Sequence, residues 1–164
     1  MYKTFGHHIN TNQEDFENAC ENGDLDKVKM LYSHNKIYNL NQMYIDIGFI
    51  RACEYGQMNV VKYFMDLHPN GYKRANLKYK QFRFHENSFR SDEAFLMACK
   101  NGHLDVVIHL LDISEYHVYT ACYENMMIYL TQGNHFNIID YILSHWKFDH
   151  NSEWILNYCE SKKS

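Results

Sequence analysis

Ala98 to Asp112 reads "ACKNGHLDVVIHLLD", and two other stretches of the chain carry the same pattern. Residues 19–31 read "ACENGDLDKVKML" and residues 52–66 read "ACEYGQMNVVKYFMD". In each, a small pair (Ala-Cys) is followed two residues later by glycine, and then by a run whose apolar residues recur at helical spacing. The glycines Gly23, Gly56 and Gly102 lie 33 and 46 residues apart, one period of 33 and then the same period with 13 residues inserted. A fourth copy, "GNHFNIIDYIL", places Asn134 where the others have glycine, 32 residues on. Asparagine is the commonest replacement where the backbone must adopt a positive φ. A recurring period of this length predicts a stacked array of like units.

Each unit reads as two short antiparallel helices. The first ends at a small pair, which lets its backbone lie close to a neighbour, and the glycine supplies a left-handed stop. The second helix is expected to take Asp26, Asn59, Asp105 and Asn137 as N-caps. Its buried stripes are expected at Val28 and Leu31, at Val60, Val61 and Phe64, at Val106, Val107, Leu110 and Leu111, and at Ile138, Ile139 and Ile142. One such pair cannot bury its apolar faces alone, so units must stack. The units are set at about 14–33, 34–66, 67–112 with the insertion, and 113–147; a capping helix is expected near 152–162, all within one domain spanning residues 1–164.

The helix pair, the period and the Gly-to-second-helix segment together resemble the ankyrin repeat over Glu14 to His145. The family's "TPLH" at the start of the first helix is replaced here by "EDFE", "IGFI", "EAFL" and "NMMI", with Phe16, Phe49 and Phe95 keeping the apolar anchor. The degenerate units and the Asn-rich and Tyr-rich loops are similar in style to ankyrin proteins of giant DNA viruses of amoebae. The resemblance implies an all-α ankyrin-repeat solenoid that recognises a folded protein through its concave face. It places that face at finger tips and first-helix ends. In this sequence those positions fall at Met43, Tyr44 and Asp46 in one finger and Phe89, Arg90 and Asp92 in the next. The helix-end pairs before the turns are Glu21 and Asn22, Glu54 and Tyr55, and Lys100 and Asn101. Tyrosine and arginine are favoured there because they bring large contact areas at modest entropic cost. His103 and His135 fall at the family's structural histidine position, where a hydrogen bond to neighbouring backbone is expected.

Composition narrows the remaining classes. The chain has 164 residues, 46 % of them apolar, enough for one ordered domain with a continuous core. A net charge of -4 gives no general attraction to nucleic acid or anionic lipid, and no apolar run approaches a membrane span. Five cysteines without a CxxC pair, and no signal-like leader, predict reduced thiols and a cytoplasmic chain, in the host cytoplasm for a viral protein and with the nucleus also open. Cys20, Cys53 and Cys99 read as packing residues, and the eleven histidines show no zinc-site spacing. No phosphate loop, nucleophile elbow or carboxylate pair stands out, so neither enzyme activity nor a cofactor is expected.

The insertion is the least explained part. Residues 72–90 carry six cations, Lys73, Arg74, Lys78, Lys80, Arg83 and Arg90, against the single acid Glu86, a net of +5 that leaves -9 on the remainder of a chain totalling -4. Tyr72, Tyr79, Phe82, Phe84 and Phe89 alternate with those charges. Three readings stand: a structural finger with some hairpin character, a contact for an acidic protein, and a stacking surface for single-stranded nucleic acid. The leading expectation for the whole is a monomeric adaptor, tether or decoy that binds a protein.

Overall fold

The computed structural model describes residues 7–34, 42–67, 89–113 and 120–145. These residues are helical throughout apart from the turns and caps between helices. In chain order the helices are α1 (His7–Glu21), α2 (Leu25–Ser33), α3 (Gln42–Glu54), α4 (Met58–Leu67), α5 (Phe89–Lys100), α6 (Leu104–Ile113), α7 (Thr120–Gln132) and α8 (Phe136–His145). They form four pairs: α1 with α2, α3 with α4, α5 with α6, and α7 with α8. The insertion from 72 to 88 and the expected capping helix at 152–162 lie outside the described residues.

All four turns share one hydrogen-bonded form. Gly23, Gly56 and Gly102 have φ of +69°, +68° and +78°, and Asn134, at +56°, is the non-glycine residue that joins them. In each turn the next amide donates back to the small or apolar residue one turn earlier: Asp24 to Ala19, Gln57 to Ala52, His103 to Ala98, and His135 to Leu130, at 2.8–3.0 Å. The turn residue's own amide reaches the carbonyl of Cys20, Cys53, Cys99 or Thr131. This is the Schellman arrangement, which satisfies the last carbonyls of the first helix while reversing the chain.

The second helices start two residues earlier than expected. Asp26, Asn59, Asp105 and Asn137 are not N-caps but the second residues of α2, α4, α6 and α8. The cap of α2 is Asp24, whose Oδ1 accepts from the Lys27 amide. The turn delivers the chain already reversed, so the residue after the glycine is the first able to cap. Asp26 and Asp105, in the first turn, still favour the positive end of the helix dipole. The first helices also begin earlier than their apolar anchors suggested. Nothing in "EDFE", "IGFI" or "EAFL" plays the helix-starting role of proline, so the helix runs on toward the N-terminus.

The expected stripes are buried: Val28 and Leu31, Val60, Val61 and Phe64, Val106, Val107, Leu110 and Leu111, and Ile138, Ile139 and Ile142. Phe64 centres an aromatic group, with Phe16, Tyr32 and Phe49 edge-on to it at 6.1–6.3 Å. The first helices stack in the order α1, α3, α5, α7 and pack together far more extensively than α2, α4, α6 and α8 do. Ala19, Cys20, Ala52, Cys53, Ala98 and Cys99 explain this closeness, because short side chains let helix axes approach. Gly48 takes the approach further: a Cβ there would stand 2.7 Å from the Phe16 ring and 2.9 Å from Cys20 Sγ.

Consecutive pairs are joined by a repeated side-chain hydrogen bond from the residue after the turn. Gln57 Nε2 donates to the Glu21 carbonyl (2.8 Å), His103 Nε2 pairs with the Glu54 carbonyl (2.9 Å), and His135 Nε2 with the Lys100 carbonyl (3.0 Å). A carbonyl only accepts, so each of these rings carries its proton on Nε2. Each side chain lies over the preceding turn glycine, where a Cβ would collide with it.

Candidate functional site

Counting back from each turn residue places the first-helix residues in rows that cross the layer. Two residues back stand Glu21, Glu54 and Lys100; six back stand Glu17, Ile50, Leu96 and Ile128; nine back stand Glu14, Ile47, Glu93 and Asn125. Positions two, six and nine back share one helical stripe. None of these side chains is fully buried, whereas Phe16, Phe49 and Phe95, on the opposite stripe, are. The rows therefore form the outward face of the first-helix layer.

Several expected binding residues stand on or beside this face. Tyr55 is 45 % exposed, and its interaction with the Glu21 carboxylate of the preceding pair pushes the phenol above its ordinary pKa. Glu54 is half-buried and accepts from Arg51 Nη1 at 2.8 Å. That hydrogen bond, with the nearby charge, holds the guanidinium more firmly protonated. Lys100 is exposed, with Nζ 5.8 Å from the centre of the Tyr129 ring, a cation–π distance. Asn101 is exposed and uses its side-chain amide to donate to the Met97 carbonyl.

The finger assignment needs correction. Met43, Tyr44 and Asp46 lie in the first two turns of α3, and Phe89, Arg90 and Asp92 begin α5. The helices extend further than the anchors implied, so these positions are helical and not loop tips. Met43 is 44 % exposed and Tyr44 is half-buried against the core, but Asp46 is only 8 % exposed and presents little to a partner. Of Phe89, Arg90 and Asp92 only the backbone is described, while Lys73, Arg74, Lys78, Tyr79, Lys80, Phe82 and Arg83 lie outside the described residues.

Against family models, curated proteins and solved structures, the chain has no match. Ile50, Leu96 and Ile128 lie on that stripe, and Arg51 and Tyr129, five residues before their turns, lie beside it; reading helix ends in pairs did not single them out.

The chemistry of the remaining groups is subdued. Burial drives the thiols of Cys20, Cys53 and Cys99 far above the ordinary thiol range, so they are packing groups and poor nucleophiles. Among the described residues no group of three or more His, Cys, Asp or Glu is placed to hold a metal ion. No helix among them is long and apolar enough to cross a membrane. His145 stacks on Tyr141 with centroids 4.2 Å apart.

Proposed function

We propose that the chain is an ankyrin-type repeat domain that binds a protein partner through the outward face of its first-helix layer, the concave face of the solenoid. It acts by occupancy, as an adaptor, tether or decoy, without turnover. The observation that carries this reading is the juxtaposition on one face of exposed Met43, Tyr55 and Ile128 with the Arg51–Glu54 and Lys100–Tyr129 pairs. Aromatic, methionine and arginine side chains are enriched in the buried centres of interfaces. The repeated hydrogen bonds between pairs hold that face rigid, so little conformational entropy is lost on binding.

The test is affinity capture from the natural host with the wild-type chain and with Tyr44→Ala, Tyr55→Ala, Phe89→Ala and Arg90→Ala. Capture should fall with the face substitutions and persist with Lys29→Ala, which lies on α2 in the other layer. If all four face variants retain the partner, the reading is wrong. A second reading, single-stranded nucleic acid or an acidic partner on residues 72–90, rests on the net +5 charge of that segment.

A further inference from the structure

The first-helix face is graded in polarity. On α1 the stripe consists of Glu14, Glu17 and Glu21, and α1 contains no lysine or arginine. Asp15 belongs to the other side of α1, where it pairs with Lys27 of α2 at 3.0 Å. Glu17 accepts from the neutral Gln13 amide, and among the described residues none of the three stripe acids forms an ion pair. In the row that contains Glu17, the next three helices present Ile50, Leu96 and Ile128, the first two half-buried and Ile128 48 % exposed. Of the cations on the face, Arg51 is held by Glu54 and also lies within charge range of Glu21, and Lys100 stands over the Tyr129 ring. An acidic strip that forms no ion pair among the described residues thus adjoins a three-residue apolar row.

Spacing selects the form of the occupant. Packed helices stand about 8–10 Å apart, which matches three residues of polyproline II, the extended form that returns a side chain to the same face every third residue. One turn of a partner helix, about 5.4 Å, does not match that step. We propose that the face takes a segment of a partner protein in the polyproline II conformation, with three apolar residues at three-residue spacing and lysine or arginine three residues beyond. The apolar side chains sit over Ile128, Leu96 and Ile50, and the basic end lies over Glu14, Glu17 and Glu21. This rests on the first-helix face being the binding surface, and it adds the chemistry of the partner.

The test is selection of a random peptide display library, twelve residues long, on the full chain. Wild type should enrich apolar residues at three-residue spacing ending in Lys or Arg. The Glu14→Lys/Glu17→Lys variant should enrich acidic ends instead, and Ile128→Glu should lose the outermost apolar preference. For one selected basic peptide, Glu14→Gln/Glu17→Gln should weaken binding about tenfold, the yield of two partly exposed charge pairs, with an unchanged melting temperature. No enrichment, enrichment without basic ends, or the same consensus from the charge-reversed chain overturns the proposal. Loss of the natural partner on Tyr55→Ala alongside such a result leaves the interaction reading standing; retention of that partner by every face variant removes the reading itself.

Discussion

Gly102 and His135 are far apart in sequence and share one small volume. Gly102 holds φ at +78°, and the His135 ring occupies the space where a Cβ would project. Gly102→Ala therefore combines backbone strain with a collision against a side chain that is hydrogen-bonded to Lys100. A loss of about 1–3 kcal/mol is expected, a fall in melting temperature of roughly 2–4 °C per kcal/mol for a chain of this size. Asn134→Gly, at an exposed turn, relieves strain and should change stability by less than about 1 kcal/mol. His109 supplies a pH signature. Its partial burial on α6, and Lys62 of α4, lower its pKa from the ordinary 6.5, with Asp112 and Asp66 opposing. The folded state then prefers the neutral ring, so this contribution is complete above the unfolded value and is lost as pH falls through the folded one. Denaturant midpoints measured from neutral pH to about pH 5 should decline less steeply in His109→Gln than in wild type.

At the scale of helices, the closeness of the first layer decides the sign of a common substitution. Glycine to alanine inside a helix ordinarily gains about 1 kcal/mol. At Gly48 the added methyl meets the Phe16 ring and Cys20 Sγ from α1, both buried and without room to withdraw. Thermal unfolding of Gly48→Ala should show a net loss of about 1–3 kcal/mol, the usual result of overpacking. The helix pairs, their stripes and the four left-handed turns were legible in the sequence because glycine, small pairs and 3.6-residue periodicity each have one dominant physical cause. Asn134 was readable for the same reason. Helix starts were not, since the anchors Phe16, Phe49 and Phe95 mark burial and not the first turn. The N-caps slipped by two residues because Asp and Asn also suit the first turn, where Asp26 and Asp105 stand. The proposed binding face was half legible: Tyr55 and Lys100 fall beside the turns, but Ile128 and Arg51 appear only once rows are drawn across helices. Asp46 was misassigned because the resemblance set it in a finger, whereas its position on α3 turns it inward.

For the whole molecule, charge is divided between an acidic body and a basic segment at 72–90. If that segment were the main binding site for single-stranded nucleic acid, affinity would fall steeply with salt, by about 0.7 in log K per log salt for each neutralised phosphate. The concave-face reading predicts that a fluorescent oligonucleotide titration of the full chain stays in the non-specific range, about 10⁻⁴–10⁻⁶ M at physiological salt. Protein capture should then persist under salt that strips the oligonucleotide.

The hydrogen bond from each post-turn residue to the carbonyl before the preceding turn also governs how such a gene can lengthen. The two middle units carry both halves of the joint: a donor, Gln57 or His103, facing the unit before, and a carbonyl, that of Glu54 or Lys100, beside an open glycine turn facing the unit after. An in-frame duplication of either middle period therefore delivers a unit that fits its new neighbours on both sides in a single genetic step. Extra codons survive best between joints, and the 13 additional residues lie there, between α4 and α5 and away from every turn.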